Sequence, residues 1–169
     1  MDKLARLCAM IDQTNEFLGK FAAWSAFALV VTQFGIVLVN HLYSEGSIAI
    51  QESLTYMHSL LFLGAAGYTL LHNGHVRVDI LYSSLSKKRK AYVNLVGTLI
   101  ILFPVLLMVG FYALPYINAS WQILEGSTES SGLHLVFLLK SLILLFVVST
   151  FLQGISVSFH SIIVIAGSG

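Results

Sequence analysis

Charge is what this sequence has least of. Lysine, arginine, aspartate and glutamate make up 10% of the 169 residues, against 57% hydrophobic residues. An average soluble domain carries about 25% charged residues, and a chain this short buries only part of its surface on folding. Water is thereby excluded as the solvent for most of this chain, and lipid takes its place. Cysteine is nearly absent: Cys8 stands alone, which excludes an intrachain disulfide and any Cys/His metal spacing. The net charge of +1 gives no pull toward nucleic acid or an acidic substrate. No nucleophile elbow, zinc motif, phosphate-binding loop or dinucleotide fingerprint occurs, so neither catalysis nor a cofactor is expected. A cleavable signal is not expected either. The first apolar run starts late, near Phe21, and its length of about 20 residues suits a span.

Lysine and arginine are missing from two loops, Asn40–Glu52 and Asn118–Leu133. They gather instead before the first apolar run (Lys3, Arg6, Lys20) and between the second and third (Arg77, Lys87, Lys88, Arg89, Lys90). The positive-inside rule then places both termini and the middle loop in the cytoplasm and the two acidic loops outside. The runs themselves cover Phe21–Tyr43, Ser53–His72, Tyr92–Ile117 and His134–Phe159. Each is long enough to cross about 30 Å of hydrocarbon. Their backbone groups must be satisfied within the segment, and no period-two alternation suggests a barrel. The expected fold is an all-α membrane protein, one domain over residues 1–169 with four transmembrane helices. Ahead of the first span, Leu4, Leu7, Cys8, Ile11, Asn15 and Leu18 recur at helical spacing, with Asp2, Lys3, Arg6, Asp12 and Glu16 on other faces. That pattern predicts an amphipathic interfacial helix over residues 1–20.

The spans contain no carboxylate. An ion-coupled pathway usually needs an ionisable group in the membrane, so the chain reads as part of a larger machine. The clearest polar residues in the spans are Thr32, Gln33, Lys140 and Gln153. The two glutamines are expected to hydrogen-bond to neighbouring helices. Lys140, near the outer end of span four, can snorkel to headgroups or pair with an outer-loop carboxylate, Glu125 or Glu129, or with a partner subunit. Glu45, Glu52, Glu125 and Glu129 form an acidic outer rim, with Trp121 as a candidate docking anchor. Gly64-Ala65-Ala66-Gly67 offers a small-residue surface for close helix packing. Pro104 removes a backbone hydrogen bond and should kink span three.

Histidines support a rival function. His58 and His72 sit near opposite ends of span two, and His134 and His160 near opposite ends of span four. At about 100° per residue, His72 returns to within roughly 40° of the face of His58. Histidines at matching depths on two helices ligate b-type haem, which would make the chain a haem-binding membrane anchor of a redox enzyme. Histidines at span ends also simply reach interfacial water.

The middle loop reads Asn73-Gly74-His75-Val76-Arg77-Val78-Asp79-Ile80-Leu81, then Leu85-Ser86-Lys87-Lys88-Arg89-Lys90. Gly74 allows a tight exit from span two. Arg77 and Asp79 can anchor an interfacial segment, Ser86 can N-cap the next helix, and Lys87, Lys88, Arg89 and Lys90 can meet anionic headgroups. The Gly-His-Val-Arg-Val-Asp core resembles the signature of the DctQ-like family, the small membrane subunits of tripartite ATP-independent periplasmic (TRAP) transporters. Ser120-Trp121 with Glu125-Gly126-Ser127 is similar to that family's outer segment after span three, and Lys140-Ser141 resembles one branch of it. The resemblance implies a bacterial inner-membrane location and a scaffold role. It also implies a large elevator-type membrane subunit and a periplasmic binding protein as partners, and uptake of an organic anion, with sodium as the expected coupling ion.

Overall fold

Nothing in the first 43 residues stops a helix, and none stops. The computed structural model describes residues 2–75 and 82–167, with side chains from Leu4 onward. Its first element, α1, runs Asp2–Tyr43, 42 residues, or about 63 Å at 1.5 Å per residue. That is twice the hydrocarbon thickness of about 30 Å. Residues 2–20 are helical as expected, but they continue into the first span without a break. Gly19, at the expected boundary, is no hinge. A Cβ there would lie 2.2 Å from the Tyr68 ring, so it is a contact glycine held inside a packed helix.

Ser47 caps α2 (Ile48–Gly64), its side chain accepting from the Ile50 N–H. α3 (Ala66–Leu71) follows after a slight irregularity at Ala65 (φ −88°, ψ −1°). There the Thr69 hydroxyl donates to the Ala65 carbonyl at 2.9 Å, the back-bonding that bends helices. The backbone bonds Ala65 N→Leu61 O and Thr69 N→Ala65 O bridge the bend, so α2 and α3 act as one 24-residue span. The exit from this span corrects one expectation. The left-handed residue is Asn73 (φ 53°), and no described glycine has positive φ. Gly74 N donates to Thr69 O and Asn73 N to Leu70 O, a Schellman closure with asparagine in the place glycine usually takes. Asparagine tolerates that conformation because its short polar side chain can bond locally.

α4 (Lys87–Val96) is N-capped by Ser86, which accepts from Arg89 N as expected. A π-helical stretch, Gly97–Leu102, leads into α5 (Phe103–Gln122), with Pro104 in its first turn. At Pro104 the expected loss of a backbone hydrogen bond is accompanied by this π-helical stretch. Proline cannot donate to residue 100, and the Phe103 N–H reaches back five residues to the Thr98 carbonyl, widening the helix where a four-residue repeat would clash.

α6 (Val136–Ala166, 31 residues) is the hub. It touches α1, α2, α3, α4, the π-helical stretch and α5. Its buried face is Ser149, Thr150, Gln153, Gly154, Ser156, Ser158 and Ser161, while large apolar side chains such as Val148, Ile162 and Ile163 point outward. Between apolar tails and apolar side chains there is no hydrophobic gain, so helix association rests on close contact and interhelical hydrogen bonds, which small and hydroxyl residues supply. Four helices are long and apolar enough to cross a membrane.

Candidate functional site

Polar chemistry concentrates at the two ends of the bundle. At the end carrying both chain termini, α1 brings Asp12, Asn15 and Glu16 against α3 and α6. Asn15 Nδ2 donates to Gln153 Oε1 at 2.7 Å and to the Ser149 carbonyl at 3.2 Å. Asp12 Oδ1 accepts from Gln153 Nε2 at 2.9 Å and from Ser156 Oγ at 2.7 Å. Asn15, Gln153 and Ser156 are all at most 2% exposed. Glu16 takes His72 Nε2 at 2.6 Å and Lys20 at 3.0 Å. The expectation of spans without a carboxylate therefore needs a supplement. The spans supply none, but the helix preceding span one lays Asp12 against the expected span four. Gln153 makes the interhelical bonds expected of it. Gln33 does not: it is exposed and makes no hydrogen bond among the described residues. Thr32 reaches only the Met57 sulfur, at 4.0 Å.

Gly67 sits where α1, α3 and α6 meet. A Cβ there would lie 2.3 Å from Asn15 Oδ1 and 3.1 Å from the Ser149 carbonyl. Gly64 faces Ala22 and Leu145 within the same chain. The small-residue surface on span two is thus covered by the chain's own helices.

At the opposite end, the loop between α5 and α6 is folded onto α2. Glu52 is its anchor: Ser127 Oγ donates to Oε1 and Leu133 N to Oε2 at 2.6 Å. Gly132 fits because any Cβ would meet Ser127 Oγ at 2.3 Å and Glu52 at 2.7 Å. Lys140 pairs with Glu125 and lies 4.0 Å from the centroid of the Tyr116 ring. Of the readings open to Lys140, the ion pair with Glu125 is the one the geometry contains. The hydrogen bond from Lys140 is the first cause holding the Glu125 carboxyl below its usual range. Trp121 Nε1 donates to Ser141 Oγ at 2.8 Å, and its ring stands edge-on to Phe137. Glu45 and Glu129 are the exposed carboxylates of this end.

Of the signature loop, Gly74 and His75 are described and exposed. Val76, Arg77, Val78 and Asp79, with Ile80 and Leu81, lie outside the described residues. Lys87, Lys88, Arg89 and Lys90 form the first turn of α4. The histidines are dispersed in use. His58 stacks on Phe62 at 4.5 Å, His72 holds Glu16, His134 packs beside Gly126, and His160 Nδ1 lies 2.9 Å from the Ser156 carbonyl. Among the described residues no group of three His, Cys, Asp or Glu could hold a metal ion. Sequence reasoning missed the buried hydroxyl face of α6, though its signal was present: Ser149–Gln153 and Thr150–Gly154–Ser158 recur four residues apart.

Compared with known proteins, residues 29–162 match the family model described as tripartite ATP-independent periplasmic transporters, DctQ component. No curated protein and no solved structure matches.

Proposed function

The chain belongs to the DctQ family of tripartite ATP-independent periplasmic transporter components, and on that premise we propose that it is the scaffold subunit on which a larger, moving membrane subunit is held. Family membership makes it a transport component with membrane-spanning helices. The finer reading is that it carries no pathway of its own. It supports an elevator-type subunit and helps to dock a periplasmic binding protein that delivers an organic anion, with sodium coupling on the partner. Both termini face the cytoplasm in this reading.

The observation that carries the proposal is the distribution of polar and apolar surface. Asp, Glu, Lys and Arg are absent from the middle of every span, so no coupling site is available there. The polar groups at the terminal end are used to hold the chain's own helices together. By contrast α1 exposes a long apolar face, including Phe17, Phe21, Trp24, Phe27 and Phe34, and α5 exposes Leu107, Met108, Phe111 and Tyr112. Such faces can serve lipid or a partner's helices. The acidic end, with exposed Glu45, Glu129 and Trp121, suits a transient electrostatic encounter with a soluble protein.

The test is co-purification of the large membrane subunit with this chain, beside solute uptake in reconstituted vesicles. Loss of both complex and uptake when the chain is omitted is expected. Full uptake by the large subunit alone would refute the scaffold role. A stoichiometric Soret band that disappears on replacing His58 or His72 would move the assignment to a haem-binding anchor.

A further inference from the structure

The basic run of the middle loop is divided by the fold. Lys87, which is exposed, and the half-buried Lys90 line a cavity of about 460 Å³ between α1, α3, α4 and α6, whereas the exposed Lys88 and Arg89 do not. Residues three apart on a helix are neighbours, so two positive charges stand together on one wall. Neither lysine forms an ion pair among the described residues; Lys90 lies over the Tyr82 ring at 5.3 Å. Among the described residues the lining contains one carboxylate, Asp12, whose Oδ1 already accepts two hydrogen bonds from α6. Two lysines against one aspartate leave these lining residues with one excess positive charge. Asn94 adds donors: its Oδ1 accepts the Tyr82 hydroxyl at 3.1 Å, which leaves its N–H groups for a ligand.

Asp12 and His160 also line a second hollow, of about 780 Å³, between the start of α1 and the end of α6. Its other walls are apolar, among them Leu4, Phe159 and Ile163. A cavity with a single excess positive charge thus adjoins an apolar groove across two shared residues. A charged head and a hydrocarbon tail on one molecule match this pair of environments; a soluble anion matches only the first. We infer that the cavity lined by Lys87, Lys90 and Asn94 binds the phosphodiester of an anionic phospholipid, with an acyl chain in the groove between α1 and α6. The site ties α4 to α1 and α6 through a bound lipid. It is independent of the transport role, since it needs only a bilayer at this end of the helices.

The experiment uses the full chain purified from membranes and stripped of lipid by detergent exchange. Phosphatidylglycerol, diacylglycerol of the same chains, and inorganic phosphate are added separately. Thermal unfolding and mass spectrometry of retained lipid are the readouts. Phosphatidylglycerol is expected to stabilise and to be retained, and the other two are not. K87Q/K90Q should weaken retention about ten-fold, the order expected for losing charge-assisted hydrogen bonds. K88Q/R89Q, which removes the same charge outside the cavity, and K87R/K90R, which keeps it inside, should both retain the lipid. Equal loss in the two glutamine pairs would reduce the effect to general surface charge and overturn the site. Equal stabilisation by inorganic phosphate alone would assign the cavity to a soluble anion, and equal retention of diacylglycerol would show that the phosphate is not read; either result overturns the inference. The three-ligand comparison uses the unmodified protein and decides the matter where a variant fails to fold.

Discussion

Replacing Gly67 by alanine adds one methyl group at the point where three helices meet. That methyl would sit 2.3 Å from Asn15 Oδ1, 2.8 Å from its Cγ and 3.1 Å from the Ser149 carbonyl oxygen. The Asn15 side chain must leave, and with it go its bonds to Gln153 and Ser149. Two such bonds contribute about 0.5–1.5 kcal/mol each. The Ser149 carbonyl belongs to the backbone of α6 and cannot rotate away, so the helix must shift, an overpacking cost of about 1–3 kcal/mol. Alanine's better helix propensity returns about 1 kcal/mol. The net expectation is destabilisation on the order of 3 kcal/mol, larger for leucine. Unfolding in mixed micelles titrated with denaturing detergent measures it. Gly35→Ala is the control: nothing lies within 4 Å of a Cβ there, so the same change should be neutral or stabilising by up to about 1 kcal/mol. Asn15→Ala combined with Gly67→Ala should cost only about 0–2 kcal/mol more than Asn15→Ala alone, because the side chain in the methyl's way is already gone and only the Ser149 carbonyl contact remains, offset by alanine's helix propensity. Equal behaviour of the Gly67 and Gly35 variants, or full additivity of the pair, would refute this account of the junction.

Glu125 gives a pH dependence. Its carboxyl is held below its ordinary 4.5, first of all by the hydrogen bond from Lys140. The stabilisation is therefore fully present above about pH 4.5 and is lost as pH falls through the lowered value. Loosening of the loop between α5 and α6, read from the fluorescence of Trp121, should appear in that acid range, and Lys140→Met should flatten the dependence. For docking, Glu45→Lys with Glu129→Lys should slow uptake without lowering complex yield, since both side chains are exposed. Glu125→Lys should lower yield, because it sets two cations together; uptake unchanged by the first pair at every ionic strength would remove the rim from the docking surface. For topology, Cys8→Ser supplies a cysteine-free chain, in which Ser86→Cys should be labelled only from the cytoplasmic side and Thr128→Cys only from outside. Labelling of Ser86→Cys from outside would reverse the orientation and end the docking proposal.

The features legible in the sequence share a local cause. Four apolar runs, the Ser86 cap and the disturbance at Pro104 depend on neighbours within a few residues, and all are in the structure. The candidate pairing of Lys140 with Glu125 spans only fifteen residues. What stayed hidden depends on distant partners. Gly19 carries no signal until Tyr68 is placed against it. Asp12 reads as a solvated charge on an amphipathic helix until Gln153 and Ser156, more than 140 residues away, are brought beside it. Asn73 and Gly74 present the reverse difficulty. Either residue can adopt the left-handed conformation, and only the hydrogen-bond register of the helix end selects asparagine. The role of the signature loop rests on Arg77 and Asp79, which lie outside the described residues.

The hub position of α6 has a consequence for how the protein is made. Among the four spans α6 is the last to be synthesised, yet it supplies the partners of the first. At about 5–20 residues per second, the 138 positions separating Asn15 from Gln153 correspond to roughly 7–28 seconds. Over that interval the three earlier spans are made and inserted with no hub to pack on; Glu16 and Gly19 can meet α3, but Asp12 and Asn15 have no partner until α6 follows. Insertion and assembly are thus separated in time, as for helices that first cross the bilayer singly and only then associate. The contacts that need α6 form late, when Ser149–Ser161 arrives and meets Asp12 and Asn15. A chain ended before Val136 should accordingly insert its spans yet leave Cys8, buried in the complete protein, open to thiol reagents; protection of Cys8 in the truncated chain would show that α1 docks without α6.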